Sequence, residues 1–339
     1  MSANRALAWG PGALAVALLA LAPVLLGDFY VSAVLTKALW LGIAAASLIF
    51  LAAYAGMVSL GQVALYGIAA FTMANLVAAD GGSDIAWNPW TGALAALVAA
   101  IAVGLFFGAI SSRSYGIYFL MITLVFSVIA NLTFGQVTSI SGFGGISGIP
   151  VPDFLSRTAH PDRLYFVTLA MALLTYALLR YVARTPFGLV LQGIRDDPLR
   201  MASLGYNVTL HRTLAFTFAG FVAAIGGVLY VWWNGQIAPS TIGLNATINV
   251  LVVAVIGGLY RLEGAWLGAL VFILLNNYAQ DVSYIGDRFP TLIGVVFLVI
   301  VLLSPNGLIG LWEKVVAGRR PRTNDPVDER RSAELTPAG

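Results

Sequence analysis

The residues that could do chemistry are few, and most of them gather in one stretch. From Arg184 to Tyr206 the chain reads R-T-P-F-G-L-V-L-Q-G-I-R-D-D-P-L-R-M-A-S-L-G-Y, which sets Arg195, Asp196, Asp197 and Arg200 close together. Elsewhere the inventory is sparse. The only lysines, Lys37 and Lys314, follow no glycine-rich turn, and no G-x-x-x-x-G-K-[ST] occurs, so the chain holds no ATP in a P-loop. His160 and His211, the only histidines, are expected in loops and form no pair at metal-ligand spacing, and without cysteine there is no thiolate ligand, disulfide or cysteine nucleophile. No acidic residue falls in the middle of an apolar span, where it could pair with a serine or a second carboxylate. Catalysis is therefore not expected, and neither is a cofactor or metal bound by this chain.

Local rules position the polar stretch. Asp197 can accept the free amides of a new helical turn, Pro198 suits the first helical position, and Gly205 can take the left-handed conformation that ends it. A short helix from Pro198 to Leu204 is expected, preceded by another from Phe187 to Arg195. Together they form a capped, basic foot outside the bilayer that presents Arg195, Asp196, Asp197 and Arg200.

Composition sets the class of the rest. Hydrophobic residues make up 59% of the chain and charged residues 10%, with a mean hydropathy of +0.88. That is a polytopic, all-α membrane protein. Apolar spans run from about Ala13 to Leu26, Val34 to Tyr54, Val58 to Ala79, Gly92 to Ile110, Ile117 to Phe134, Tyr165 to Val182, Leu210 to Trp233, Ile248 to Tyr260, Ala265 to Asn277 and Leu292 to Leu303, about ten transmembrane helices. The first follows Arg5 without a small-x-small cleavage site and reads as a retained helix. The pair over residues 248–279 is short, either two tilted spans or a broken or re-entrant helix.

With both termini cytoplasmic, Arg5, Arg113, Arg184, Arg195, Arg200, Arg212, Arg261, Lys314, Arg319, Arg320 and Arg322 fall inside, and only Lys37, Arg157, Arg163 and Arg288 fall outside. This is the positive-inside pattern, so the net charge of +3 reports topology and not nucleic-acid binding. Residues 1–317 form one transmembrane domain, with the foot over 184–208. Residues 318–339 are charged and aperiodic, and a disordered cytoplasmic tail is expected there. The glycine- and proline-rich loop from Gly135 to Asp162 is the longest external connection.

Inside the membrane the chain offers small, weakly polar residues. Ser59, Gly61, Gln62 and Gly67 crowd the third span, and Gly257, Gly258, Gly264 and Gly268 crowd the eighth and ninth. Small residues let helices pack closely. The functional reading is that both regions flank a translocation path without a strong binding site. Lacking a mid-membrane ionisable residue, the chain is a poor candidate for ion coupling. A sodium-coupled secondary transporter using carbonyls of a broken helix stays open, as does a passive channel for a small polar solute.

Three motifs, G-M-V-S-L-G-Q-V-A-L-Y-G-I-A-A-F, the foot itself, and V-I-G-G-L-Y-R-L-E-G-A-W-L-G-A, resemble the LivM-like permeases of branched-chain amino acid ABC transporters, over roughly Ala38 to Pro305. Urea and short-amide ABC permeases are closely similar over the same motifs. The resemblance implies a bacterial inner-membrane importer of branched-chain amino acids. In it, this chain pairs with a LivH-like second permease and works with two cytoplasmic ATPases and an extracytoplasmic solute-binding protein. ATP is then hydrolysed on the partner subunits. Asp197 to Gly205 would be the coupling helix, with Arg195, Asp196, Asp197, Pro198, Arg200, Ala202 and Gly205 as the ATPase-coupling residues. The chain departs from the family at Pro198, Arg200 and Met201, and at Tyr260, Arg261 and Trp266.

Overall fold

The computed structural model describes residues 18–23, 27, 30–78, 87–138, 140–141, 144–155 and 161–281, with scattered positions between 291 and 310. Most of the expected first and last spans, residues 156–160 with His160, and the expected disordered tail lie outside the described residues. Among the described residues the architecture is helical without strands, apart from an antiparallel bridge between Ile146 and Ile237.

The first long helix, Thr36–Phe50 (α1), is widened at each end by a π-helical turn, Val31–Leu35 and Leu51–Ala55, making an apolar rod over Ala33–Ala55. Gly56, at φ 66°, ends it. The chain then forms Gln62–Val77 (α2), Pro89–Ser111 (α3), Gly116–Gln136 (α4) and Pro161–Arg184 (α5). The foot supplies Pro186–Asp196 (α6) and Pro198–Ser203 (α7). Val208–Asn234 (α8), Leu244–Gly257 (α9) and Gly264–Asp281 (α10) complete the bundle. Start signals are read directly in α3 and α8, as in the two helices of the foot. Asn88 accepts from the Trp90 amide at 3.1 Å ahead of Pro89, and Asn207 accepts from the Leu210 amide at 3.0 Å.

Five rods, over Ala33–Ala55, Pro89–Ser111, Gly116–Gln136, Asp162–Arg184 and Val208–Asn234, are long and apolar enough to cross a membrane. At ~1.5 Å per residue they match a hydrocarbon core of ~30 Å. With the shorter apolar helices α2, α9 and α10 they account for the expected spans between Val34 and Asn277. The protein is thus a multi-pass membrane protein. Several boundaries shift by up to about four residues from expectation, and two of the shifts are informative. The third span becomes helical only at Gln62, because Gly56 to Gly61 form an irregular, mostly buried loop. Its amides find side chains, Leu60 donating to Thr123 Oγ1 at 3.1 Å and Gly61 to Ser59 Oγ at 3.2 Å, as backbone buried within protein requires. The eighth span begins earlier, at Leu244, and stops at Gly257.

Two rods form the centre. The Ala33–Ala55 rod and α8 are 89% and 78% buried, whereas α3, α4 and α5 are about one third buried and turn apolar sides outward, with Leu94, Val98 and Phe106 on α3 and Ile117, Met121 and Val125 on α4. Close packing in the centre rests on small residues, since lipid supplies no hydrophobic drive between helices. A side chain at Gly227 would run into the Tyr66 carbonyl, and one at Gly226 would stand 3.1 Å from the Trp40 carbonyl. Polar ties add to this. The Ser127 and Thr247 hydroxyls share a 2.8 Å hydrogen bond that joins α4 to α9.

The helices alternate in direction. The turns around 56–61, 112–115, 185–207 and 258–263 fall at one end of the bundle, the foot end, and 137–152 and 235–243 fall at the other.

Candidate functional site

The foot is built as its sequence dictates, with α6 beginning one residue before the expected Phe187 and α7 ending at Ser203 in place of Leu204. Thr185 and Pro186 open α6. A side chain at Gly188 would strike the carbonyls of Val182 and Ala183, so glycine is what lets α6 fold back beneath α5. The apolar side of α6 is seated by buried Leu191 and Ile194. Gln192 donates to the carbonyls of Ala183 and Gly188, both at 3.2 Å.

Asp197 ends α6 and caps α7, its Oδ1 accepting the Arg200 amide at 3.0 Å, with Pro198 at the first helical position. Gly205 stands at φ 89°, its amide donating to the Ala202 carbonyl at 3.0 Å while Tyr206 donates to Met201 at 3.2 Å. Only a residue without a side chain takes this conformation readily. Met201 turns inward over Gly193, where a side chain would meet its sulfur at 2.7 Å. No residue of α7 is buried, and Leu199 and Leu204 are 82% and 65% exposed. The foot therefore offers a rigid apolar knob with Arg200 and Ala202 exposed on it.

Arg195 behaves differently from an outward-facing contact. Its guanidinium donates to the Ala53 carbonyl in the π-turn that ends the first rod, and pairs with Asp196 at 2.9 Å. It is a staple between foot and bundle, and it closes over Gly56, where a side chain would meet Arg195 Cγ at 2.6 Å. A second tie lies beside it. Arg180 on α5 pairs at 2.7 Å with Glu263 in the α9–α10 turn, and Tyr176 donates to the same carboxylate at 2.7 Å. Arg180 and Glu263 border a polar cavity of about 380 Å³ that Arg184, Gln192 and Arg261 also line. Burial pushes the Glu263 carboxyl up. The hydrogen bonds from Tyr176 and from its own amide, with Arg180 and Arg261 nearby, outweigh that and hold it below the usual carboxylate range.

At the other end of the bundle is a second cavity, of about 340 Å³. Trp40 from α1, Tyr66 from α2, and Tyr230 and Trp233 from α8 wall it with aromatic rings. The Trp40 centroid lies 5.1 Å from that of Tyr230 and 6.2 Å from that of Tyr66. Lys37 Nζ lies 4.9 Å from the Trp233 centroid, and Asn249 of α9 adds an amide. The Tyr66 hydroxyl and the Trp40 Nε1 are buried and have no hydrogen-bond partner among the described residues.

The residues expected along a translocation path are buried in packing contacts or turns near, but not in, the two cavities. Neither cavity is lined by Ser59, Gly61, Gln62, Gly67, Gly257, Gly258, Gly264 or Gly268. Ser59 satisfies the buried loop, and Gly61 packs against Thr123 and Phe216. Gly67 makes room for Ile242. Gly257, Gly264 and Gly268 bring the backbones of α9 and α10 together, and Gly258, at φ 121°, ends α9. Gln62, one turn before Tyr66, is buried with neither amide atom partnered among the described residues. The aromatic cavity was not foreseen. Its trace in the sequence is polar Lys37 and Asn249 placed in otherwise apolar spans.

Among the described residues the chain is an all-helical multi-pass bundle with a capped foot at one end and an aromatic cavity at the other. Residues 30–304 match the family described as branched-chain amino acid transport system / permease component, and the chain belongs to that family. It is 26% identical over 279 residues to the high-affinity branched-chain amino acid transport system permease protein LivM of Escherichia coli (strain K12), covering 75% of this chain and 64% of that one. It is 28% identical over 181 residues to the probable LivM of Methanocaldococcus jannaschii, covering 49% and 52%. It is 29% identical over 157 residues to the LivH permease of Escherichia coli (strain K12), covering 46% and 49%. The matches thus span less than two thirds of these relatives' lengths. No solved structure matches the chain.

Proposed function

We propose that this chain is one permease subunit of an ATP-binding cassette importer for branched-chain amino acids, in the bacterial inner membrane, with ATP hydrolysed on separate subunits. Its partners are a LivH-like second permease, two cytoplasmic ATPases and an extracytoplasmic solute-binding protein. About ten spans place both termini in the cytoplasm. Supporting the orientation, Arg113, Arg184, Arg195, Arg200, Arg212 and Arg261 lie at the foot end, and Lys37 and Arg163 at the other. The energy source is external because Asp162, Asp196, Asp197 and Glu263 all sit at helix ends or turns, outside the middle of the spans.

One observation carries the reading: a helix capped at both ends, without a buried residue, that thrusts Leu199 and Leu204 away from the protein. Exposed apolar side chains on a rigid support suit a groove on another protein. The ATPase is that partner, and its closure moves the foot and, through Arg195, the end of the first rod.

Leu199→Asp or Gly205→Val in the assembled transporter tests this. Either is expected to leave membrane insertion intact and to cut ATP-driven leucine uptake at least about tenfold, the loss of roughly 1.4 kcal/mol or more of contact energy. Uptake at the wild-type rate in both variants would remove the foot from the coupling path.

A further inference from the structure

We infer that the polar cavity beside the foot binds the headgroup of an anionic phospholipid, with Arg184 holding its phosphate. The inference needs only a membrane-spanning chain, and it stands apart from the importer reading and from the solute carried.

Charge sets the kind of ligand. The described residues lining this cavity of about 380 Å³ bring three guanidiniums, those of Arg180, Arg184 and Arg261, against one carboxylate, Glu263. That carboxylate is already engaged by Arg180 and Tyr176, and it stays ionised because its hydrogen bonds hold it below the usual carboxylate range. Arg184 is exposed and makes no hydrogen bond or ion pair among the described residues. A planar guanidinium pairs with phosphate oxygens through two parallel N–H···O bonds. A phosphate on the Arg184 side of the cavity meets that fork without displacing the Arg180–Glu263 pair.

Position sets the source of the phosphate. α5 has 24 residues, a rise of ~36 Å against a hydrocarbon core of ~30 Å, so its last turn, which ends at Arg184, stands at the level of lipid headgroups. Positions 173, 177, 180 and 184 follow the helical repeat and share one side of α5. Leu173 and Ala177, both exposed, precede the two arginines along that side. An acyl chain laid on this apolar strip brings its headgroup to the cationic end. On the opposite rim Leu189 of α6 and Tyr260 of the α9–α10 turn are exposed, and a tyrosine ring suits the interface between hydrocarbon and water. A soluble anion would use Arg184 and leave the strip unused. Because the walls come from α5, α6 and the α9–α10 turn, a bound lipid would bridge the foot to the bundle beside the Arg195 staple.

The test is lipid binding by the assembled transporter in a neutral detergent. Native mass spectrometry reads it while dioctanoyl phosphatidylglycerol, dioctanoyl phosphatidylcholine or inorganic phosphate is titrated in. Phosphatidylglycerol is expected to fill a saturable site, with phosphatidylcholine at least about fivefold weaker because its choline cation faces the guanidiniums. Arg184→Gln should weaken phosphatidylglycerol at least about fivefold, and Arg184→Lys, which keeps the charge and loses the fork, by less. Arg113→Gln removes an exposed arginine at the same end that does not line the cavity, and should stay within about twofold of wild type. All three variants should keep the wild-type melting profile. No saturable phosphatidylglycerol binding, the result a cavity filled by a partner subunit would give, overturns the inference. Undiminished binding in Arg184→Gln, an equal loss in Arg113→Gln, or equal binding of phosphatidylcholine does the same. Inorganic phosphate competing at concentrations equal to the lipid would mark the site of a soluble anion and would also overturn it.

Discussion

Arg212 shows how much a single residue can conceal. As one basic residue among several near a span end, it reads as part of the positive-inside pattern, yet it is 3% exposed. Its guanidinium donates to the carbonyls of Ser112 at 2.8 Å and Ser114 at 2.7 Å, its Nε donates to Met57 Sδ, and it lies 4.1 Å from the Tyr115 ring centroid. One planar fork thereby pins the α3–α4 turn and the Gly56–Gly61 loop to the start of α8, and satisfies carbonyls that the end of α3 leaves free. An ammonium cannot serve both carbonyls and stack as well. Arg212→Lys is therefore expected to destabilise the detergent-solubilised protein by roughly 1–3 kcal/mol, while exposed Arg113→Lys should lie within ~0.5 kcal/mol of wild type. Thermal unfolding followed by near-UV circular dichroism measures both, and equal melting temperatures for the two variants would show that the pin carries no stability.

Elements governed by local rules were legible in the sequence, and those that depend on neighbours were not. The cap at Asp197, Pro198 after it and the left-handed Gly205 are decided by residues within one turn, which is why α6 and α7 lie within a residue of expectation. The loop at Gly56 to Gly61 escaped notice because its composition is as apolar as a helix. Gly56 ends the first rod locally, but the late start of α2 is tertiary, with a hydroxyl on Thr123 accepting the Leu60 amide. The aromatic cavity draws on α1, α2, α8, α9 and α10, so no window of sequence contains it. The glycine runs were visible, and the structure gives them packing contacts. Gly268 is the clearest, since a side chain there would strike the Val253 carbonyl and stand 2.8 Å from the Gly257 amide, both backbone atoms that cannot yield. Gly243, with its nearest neighbour at 3.4 Å and φ −67°, has space and an ordinary conformation. Gly268→Ala is expected to force α9 and α10 apart at a cost of ~1–3 kcal/mol, with Gly243→Ala nearly neutral. Monodisperse yield on size-exclusion chromatography and the unfolding temperature compare them, and a Gly268→Ala protein as stable as Gly243→Ala would contradict the backbone contact.

Across the whole molecule the two polar features stand at opposite ends of shared helices. α8 has 27 residues, a rise of ~40 Å, and runs from His211, stacked 5.8 Å from Phe187 of the foot, to Trp233 at the cavity wall. The first rod runs the other way, from Lys37 to Ala53. Both are largely buried and packed against each other, so a displacement at the foot has stiff paths to the cavity. This arrangement has meaning only if the foot faces the compartment that holds ATP. Because the chain has no cysteine, a single introduced one reports its side of the membrane without background. Leu199 and Gln236 are exposed at opposite ends. In intact cells a membrane-impermeant maleimide should label Gln236→Cys, and should reach Leu199→Cys only after permeabilisation. The converse pattern would place the foot where no cytoplasmic ATPase can touch it, and the geometric basis for coupling would be lost whatever the variants at Gly205 did.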